Sequence, residues 1–176
     1  MANKIGRYLK IGDIFEVPLE NETKGYVQFI GRDLIQLNTD VLRAFRGRYG
    51  VEAQPSLEEI VSDKVDFYAH VTSIKFGEED GIWKKIGKSD NVGDISKSMF
   101  RSTHDWAVNG NVDTSERWYV WQVGGERKNV ISNFDQLSKA DIGLVLLPKD
   151  VAVRMETGKY SFHYPSFPGE KEKTSL

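Results

Sequence analysis

A mostly β fold of the α+β kind, with one or two short helices, is what this sequence predicts, and three observations carry that prediction. Apolar residues recur with a period of two near the N-terminus, short polar turns separate successive apolar runs, and a later strand is unusually rich in aromatics. The expected architecture is an antiparallel, strongly bent sheet or small barrel.

The elements follow in order. Ile11, Asp13, Phe15, Val17 and Leu19 share one face of a first strand, which Pro18 should end or hold at a sheet edge because proline lacks an N–H donor. A polar turn at 21–25 leads to the apolar run Tyr26 to Ile30. Gly31-Arg32-Asp33 then turns the chain into a third strand read over Leu34 to Asn38 and Val41 to Phe45. Connections this short make an antiparallel meander, since parallel pairing needs a long crossover. Ser56 and Glu59 have capping-box spacing and open a short helix after Pro55. Val65 to Phe76 reads as the longest strand, with Val65, Phe67, Ala69 and Val71 on one face and Tyr68, His70, Thr72 and Ile74 on the other.

Residues 77–115 carry many Gly, Asp, Asn, Ser and Lys residues with isolated large groups between them. Such a stretch inside a compact domain is usually functional or partly mobile. Short strands are expected within it near Ile82 to Ile86 and Met99 to Ser102. Arg117 to Val123 follows as an aromatic strand, and Gly124-Gly125 turns it into Arg127 to Ile131. Ile142 to Leu147 reads as a buried strand. Pro148 suits the first turn of a helix through Met155, and Gly158 its C-terminal stop. One domain is expected over residues 1–167, with a disordered tail over 168–176.

Composition narrows the function. The chain has 176 residues, 39% hydrophobic, with no cysteine and a formal net charge of −2. Disulfides and thiolate metal sites are thereby excluded. No run resembles a secretory h-region or a membrane span, so a cytoplasmic location without membrane contact is expected. The overall charge does not suit a protein that coats nucleic-acid phosphates. Arg43, Arg46 and Arg48, interleaved with Phe45 and Tyr49, form the one basic aromatic stretch, and a solvated strand end is the plainer reading of it.

Catalytic constellations are weak. Asp66 and His70 lie four apart, but on a strand that separates them by about 13 Å, too far to share one ion. Ser102, Thr103, His104 and Asp105 crowd into four consecutive positions, whereas a nucleophile, base and orienting carboxylate normally converge from separate parts of a fold. No phosphate-binding loop or dinucleotide fingerprint is present, so neither a metal nor a cofactor is expected. The more suggestive stretch is Gly77-Glu78-Glu79-Asp80-Gly81 with Trp83 close behind. Its plainer reading is a charged hairpin tip. Its functional reading is a contact surface in which Glu78, Glu79 and Asp80 steer a basic partner, with Trp83 and Trp106 as anchors. Tyr68, His70 and His104 are the candidates for a groove on the mixed sheet face.

Lys10 to Leu19 (KIGDIFEVPL), followed by Gly25 to Gly31 (GYVQFIG), resembles the opening of the immunity protein 26 family, which is associated with bacterial polymorphic toxin systems. Phe67 to Val71, Trp118 to Trp121 and Ile142-Gly143 with Pro148 to Tyr164 are similar in kind. The resemblance implies a β-rich fold and a protein that binds and neutralises a cognate toxin. A phosphotriesterase label carried by some members supplies the alternative, a small phosphoester hydrolase. The resemblance assigns no active-site residue to any position of this sequence.

Overall fold

The computed structural model describes residues 8–106, 112–132 and 134–170. Its strands and helices, in chain order, begin with β1 (Asp13–Leu19), β2 (Thr23–Asp33), β3 (Thr39–Phe45) and β4 (Tyr49–Gly50). Then come α1 (Leu57–Ser62), β5 (Val65–Val71), α2 (Ile74–Glu79), β6 (Lys84–Lys88), β7 (Met99–Thr103), β8 (Trp118–Gln122) and β9 (Lys128–Val130). The last are β10 (Asp141–Ile142), β11 (Val145–Leu146) and α3 (Pro148–Thr157). A 3-10 turn over Phe134–Lys139 precedes β10.

The expected meander is present: β1 pairs antiparallel with β2, and β2 with β3. These strands form the middle of a seven-stranded sheet of order β11-β5-β3-β2-β1-β6, with β4 added to β2. A second sheet has the order β10-β7-β8-β9. The antiparallel expectation fails at two places, because β11 runs parallel to β5 and β10 parallel to β7. Nor is there a small barrel, since β11 and β6 end the larger sheet without pairing to each other. Both sheets gain their parallel strand from one short segment. The run read as a single strand over Ile142 to Leu147 is divided, giving β10 to one sheet and β11 to the other. Gly143 sits at the division, where a Cβ would lie 2.1 Å from the Trp121 ring.

Two further differences have local causes. Leu34 to Leu37 is a turn instead of a strand, because the Asp33 carboxylate accepts the backbone N–H groups of Ile35 and Gln36 at 3.2 and 3.1 Å. Such a side-chain cap competes with ladder pairing. The strand expected to reach Phe76 ends at Val71, and the chain instead forms α2, which buries Ile74 and Gly77. The capping box of α1 is formed as predicted, with Ser56 and Glu59 exchanging bonds.

Alternation along the strands gives the large sheet two apolar faces. Phe15, Val17, Val27, Leu42, Phe67 and Val71 pack against Ile74 of α2 and Val151 and Met155 of α3. On the opposite face, Ile14, Tyr26 and Phe45 meet Ile60 and Val61 of α1. Beside them Ile30 and Val41 meet Phe100, Tyr119 and Trp121 of the second sheet. The far side of that second sheet, Trp118, Val120 and Val130, is covered by Leu137 and Phe167. The molecule is thus layered as helices, large sheet, then small sheet beside α1.

Candidate partner-binding surface and the pocket between the sheets

The acidic stretch is helical. Ser73 enters α2 in an extended conformation, and Gly81, at φ +70°, turns the chain out in the left-handed region that suits glycine. Trp83 is the reason for the helix's placement. Its indole is 2% exposed, donates to the Ile74 carbonyl at 2.8 Å and lies so close to Gly77 that a Cβ there would meet the ring at 1.9 Å. Trp83 therefore belongs to the core beside Phe15 and is withdrawn as a surface anchor. Phe76, 52% exposed on the same helix, is the aromatic that faces solvent. Glu78, Glu79 and Asp80 are exposed, and their carboxylates have no ion pair or hydrogen bond among the described residues.

Trp106 lies elsewhere. It is half-buried against Phe162 and Tyr164, with ring centroids 6.1 and 5.1 Å away. The structure does not bring it to the acidic helix.

The face carrying Tyr68 and His70 is not an open groove, because the second sheet packs on it. His70 is fully buried, 4.1 Å from the Phe100 ring and 6.0 Å from the Trp121 ring. Its Nδ1 pairs with Thr39 Oγ1 at 2.9 Å, while Nε2 has no hydrogen-bond partner and lies 3.8 Å from Asp33 Oδ2. Burial pulls its pKa down to about 4, against the partial pull of the Asp33 charge, so the ring is neutral at ordinary pH. Tyr68 is half-buried, and burial raises its hydroxyl above the ordinary range. His104 is exposed and rests on Tyr119, 4.8 Å between rings. The two histidines thus occupy different environments. Among the described residues, no three His, Asp or Glu side chains converge to hold a metal ion.

The reading of the arginines as a solvated strand end is corrected for Arg43, while Arg46 and Arg48 are exposed in the turn after β3. Arg43 is 4% exposed and donates to Gln28 Oε1 at 2.8 Å and to the Asn91 carbonyl at 2.7 Å. Arg48 donates to the carbonyls of Phe45 and Met155, both at 2.7 Å. Arg46 alone of the three is left exposed without such a contact.

A cavity of about 540 Å³ lies where the two sheets meet, bordered by Asp66, Arg101, Lys139, Asp141, Tyr160 and Glu170 among others. Asp141 holds its wall together. One oxygen accepts the Tyr68 N–H at 2.8 Å and the other pairs with Arg154 at 2.9 Å. Arg154 also lies over the Phe67 ring at 4.0 Å. Tyr160, buried here, has its hydroxyl pushed up to about 12. Sequence reading missed this pocket because its walls come from segments far apart in the chain. It also missed Phe76, whose exposure follows only once residues 74–79 are seen to coil.

The family model described as Immunity protein 26 matches residues 10–112, more than half of the chain. The chain belongs to the Immunity protein 26 family. No curated protein and no solved structure matches it. Membership implies an immunity protein for a toxin. The Immunity protein 26 match takes in β1 to β7 with α1 and α2, including the acidic helix. Most of the pocket lining lies beyond the match, Asp66 and Arg101 being the exceptions. No helix among the described residues is long and apolar enough to cross a membrane.

Proposed function

We propose that this immunity protein acts in the cytoplasm by binding a cognate toxin through α2 and occluding its active site. Glu78, Glu79 and Asp80 steer the toxin and Phe76 anchors it. The observation that carries the reading is the pairing of three carboxylates without internal partners with a half-exposed phenylalanine on a helix locked by Trp83. Unpaired surface carboxylates speed encounter with a basic surface, and an aromatic side chain on a rigid element loses little entropy when it docks. The hydrolase reading has no comparable support, since His70 is enclosed by rings and His104 stands apart from it.

The test is protection of cells that express the toxin encoded beside this protein, together with binding of the two purified proteins. Charge reversal of Glu78, Glu79 and Asp80 to lysine should weaken binding at least about tenfold through slower association, an effect that shrinks at high salt. Phe76→Ala should act chiefly through faster dissociation. Full protection by the folded charge-reversed chain would remove α2 as the contact. Absence of any complex with the wild-type chain would remove the neutralisation reading itself.

A further inference from the structure

Arg101 is built like a receptor for an anion. Its guanidinium is only 9% exposed as a residue, with Nη1 held by the Leu137 carbonyl at 3.1 Å. The Trp118 and Phe167 rings lie 5.5 and 4.7 Å from its centre, and its Nε has no hydrogen-bond partner among the described residues. Nη2 is engaged by Glu170 Oε1 at 2.7 Å. A fixed guanidinium edge of this kind recognises carboxylate and phosphate oxygens.

The carboxylate that occupies Arg101 comes from a small, hinged element. Glu170 follows Gly169, whose φ of +81° suits glycine, and its other oxygen accepts the Phe167 N–H at 3.2 Å. The Glu170 side chain is 27% exposed, so it can leave without opening the core. Both partners of the pair border the cavity of about 540 Å³. Lys139 borders it too, and has no ion-pair partner among the described residues. Removing Glu170 would leave Arg101 and Lys139, beside the Asp141-paired Arg154, facing a space that Asp66 and Asp135 also border.

We infer that this pocket is a binding site for a small anionic molecule, whose phosphate or carboxylate head takes the place of Glu170 on Arg101 with Lys139 as second cation. The cavity has the size of an ordinary small-molecule site and exceeds what a bare oxyanion fills. The ligand's body lies along Tyr160, and its hydroxyl or amino donors meet Asp66, whose contact with Arg48 is long at 3.5 Å. Glu170 is therefore the resident competitor, and binding is coupled to withdrawal of its side chain from Arg101 while Phe167 stays packed. The inference does not depend on toxin binding by α2.

The test is calorimetric titration of the full chain at low salt with inorganic phosphate and with citrate. A latch closed about nine-tenths of the time weakens apparent binding about tenfold, so E170A should bind one or both probes about tenfold more tightly than wild type. The tighter probe identifies the head group. Adding K139M to E170A should take back about fivefold, and adding R101M should abolish binding. Where R101M fails to fold, E170A with K139M decides alone. A folded E170A chain that binds neither probe better than wild type overturns the inference. So does a gain in E170A that K139M leaves intact, which would mark an unrelated surface.

Discussion

Trp121 donates its indole N–H to Asp33 Oδ2 at 3.0 Å, joining the small sheet to the turn after β2 across 88 positions of sequence. The other oxygen of Asp33 caps the same turn, so one buried carboxylate fixes both a local bend and a contact between layers. Asp33→Ala should lose about 2 kcal/mol of stability, chiefly because the buried Trp121 N–H is left with no partner, while the part-exposed N–H groups of Ile35 and Gln36 can turn to water. Urea denaturation followed by tryptophan fluorescence reads this directly. A loss below about 0.5 kcal/mol would show that the joint carries little of the fold.

The neighbouring His70 makes stability depend on pH. Its folded pKa, about 4, lies below the ordinary 6.5 because burial disfavours the charged ring. The unfolded chain therefore binds the proton more readily. Stability from this group is complete above about pH 6.5, falls as pH drops towards 4, and changes no further below that. The total is about 3 kcal/mol. His70→Gln should flatten the slope of unfolding free energy against pH in that window. An unchanged slope would assign the dependence to another group.

Gly77→Ala should be among the more damaging single substitutions. The added methyl would meet the Trp83 ring at 1.9 Å, against a side chain that the Ile74 carbonyl holds in place. Overpacking of this kind costs about 3 kcal/mol or more, although alanine favours a helix over glycine by about 1 kcal/mol. A thermal melt that shows equal or greater stability would mean α2 can shift to make room.

Arg48 offers a test of geometry beyond charge. It closes the end of α3 by donating Nε and Nη2 to the Met155 carbonyl, while Nη1 gathers the carbonyls of the β3–β4 turn. Lysine keeps the charge but cannot form that fork. Arg48→Lys and Arg48→Met should therefore each destabilise by about 2 kcal/mol, nearly alike. Full rescue by lysine, measured by chemical denaturation, would reduce the role to simple electrostatics.

The N-terminal meander was readable because local rules decide it. Period-two alternation in β1 and the polar turn before β2 both answer to neighbours a few residues away. The aromatic strand β8 and the Pro148 start and Gly158 stop of α3 were readable for the same reason. Topology was not. The pairing of Val145 with His70, and of Ile142 with Arg101, is chosen by packing between segments many positions apart, and no local pattern encodes it. Burial of Trp83 depends on Gly77 being helical, whereas in sequence residues up to Phe76 read as strand and 77–81 as a charged hairpin tip. At the candidate surface the carboxylates were visible as a cluster, but their aromatic neighbour was misassigned. The pocket needed the fold, since Arg101, Lys139 and Glu170 come from three separate segments.

The position of β11 bears on how the protein is made. Among the described residues, the edge of β5 beyond β3 is paired by Val145 and Leu146 and met by the Asp141 carboxylate, and the face bearing Phe67, where Ile74 already packs, gains Val151 and Met155 last. A growing chain therefore carries an open strand edge and a partly covered apolar face until residues 145–155 have been synthesised, a state prone to mispairing. The acidic helix is translated earlier, yet its packing beside Val151 and Met155 of α3 waits for that segment. On the function proposed above, protection waits for β11 and α3 to be made and does not begin with the first appearance of the recognition surface.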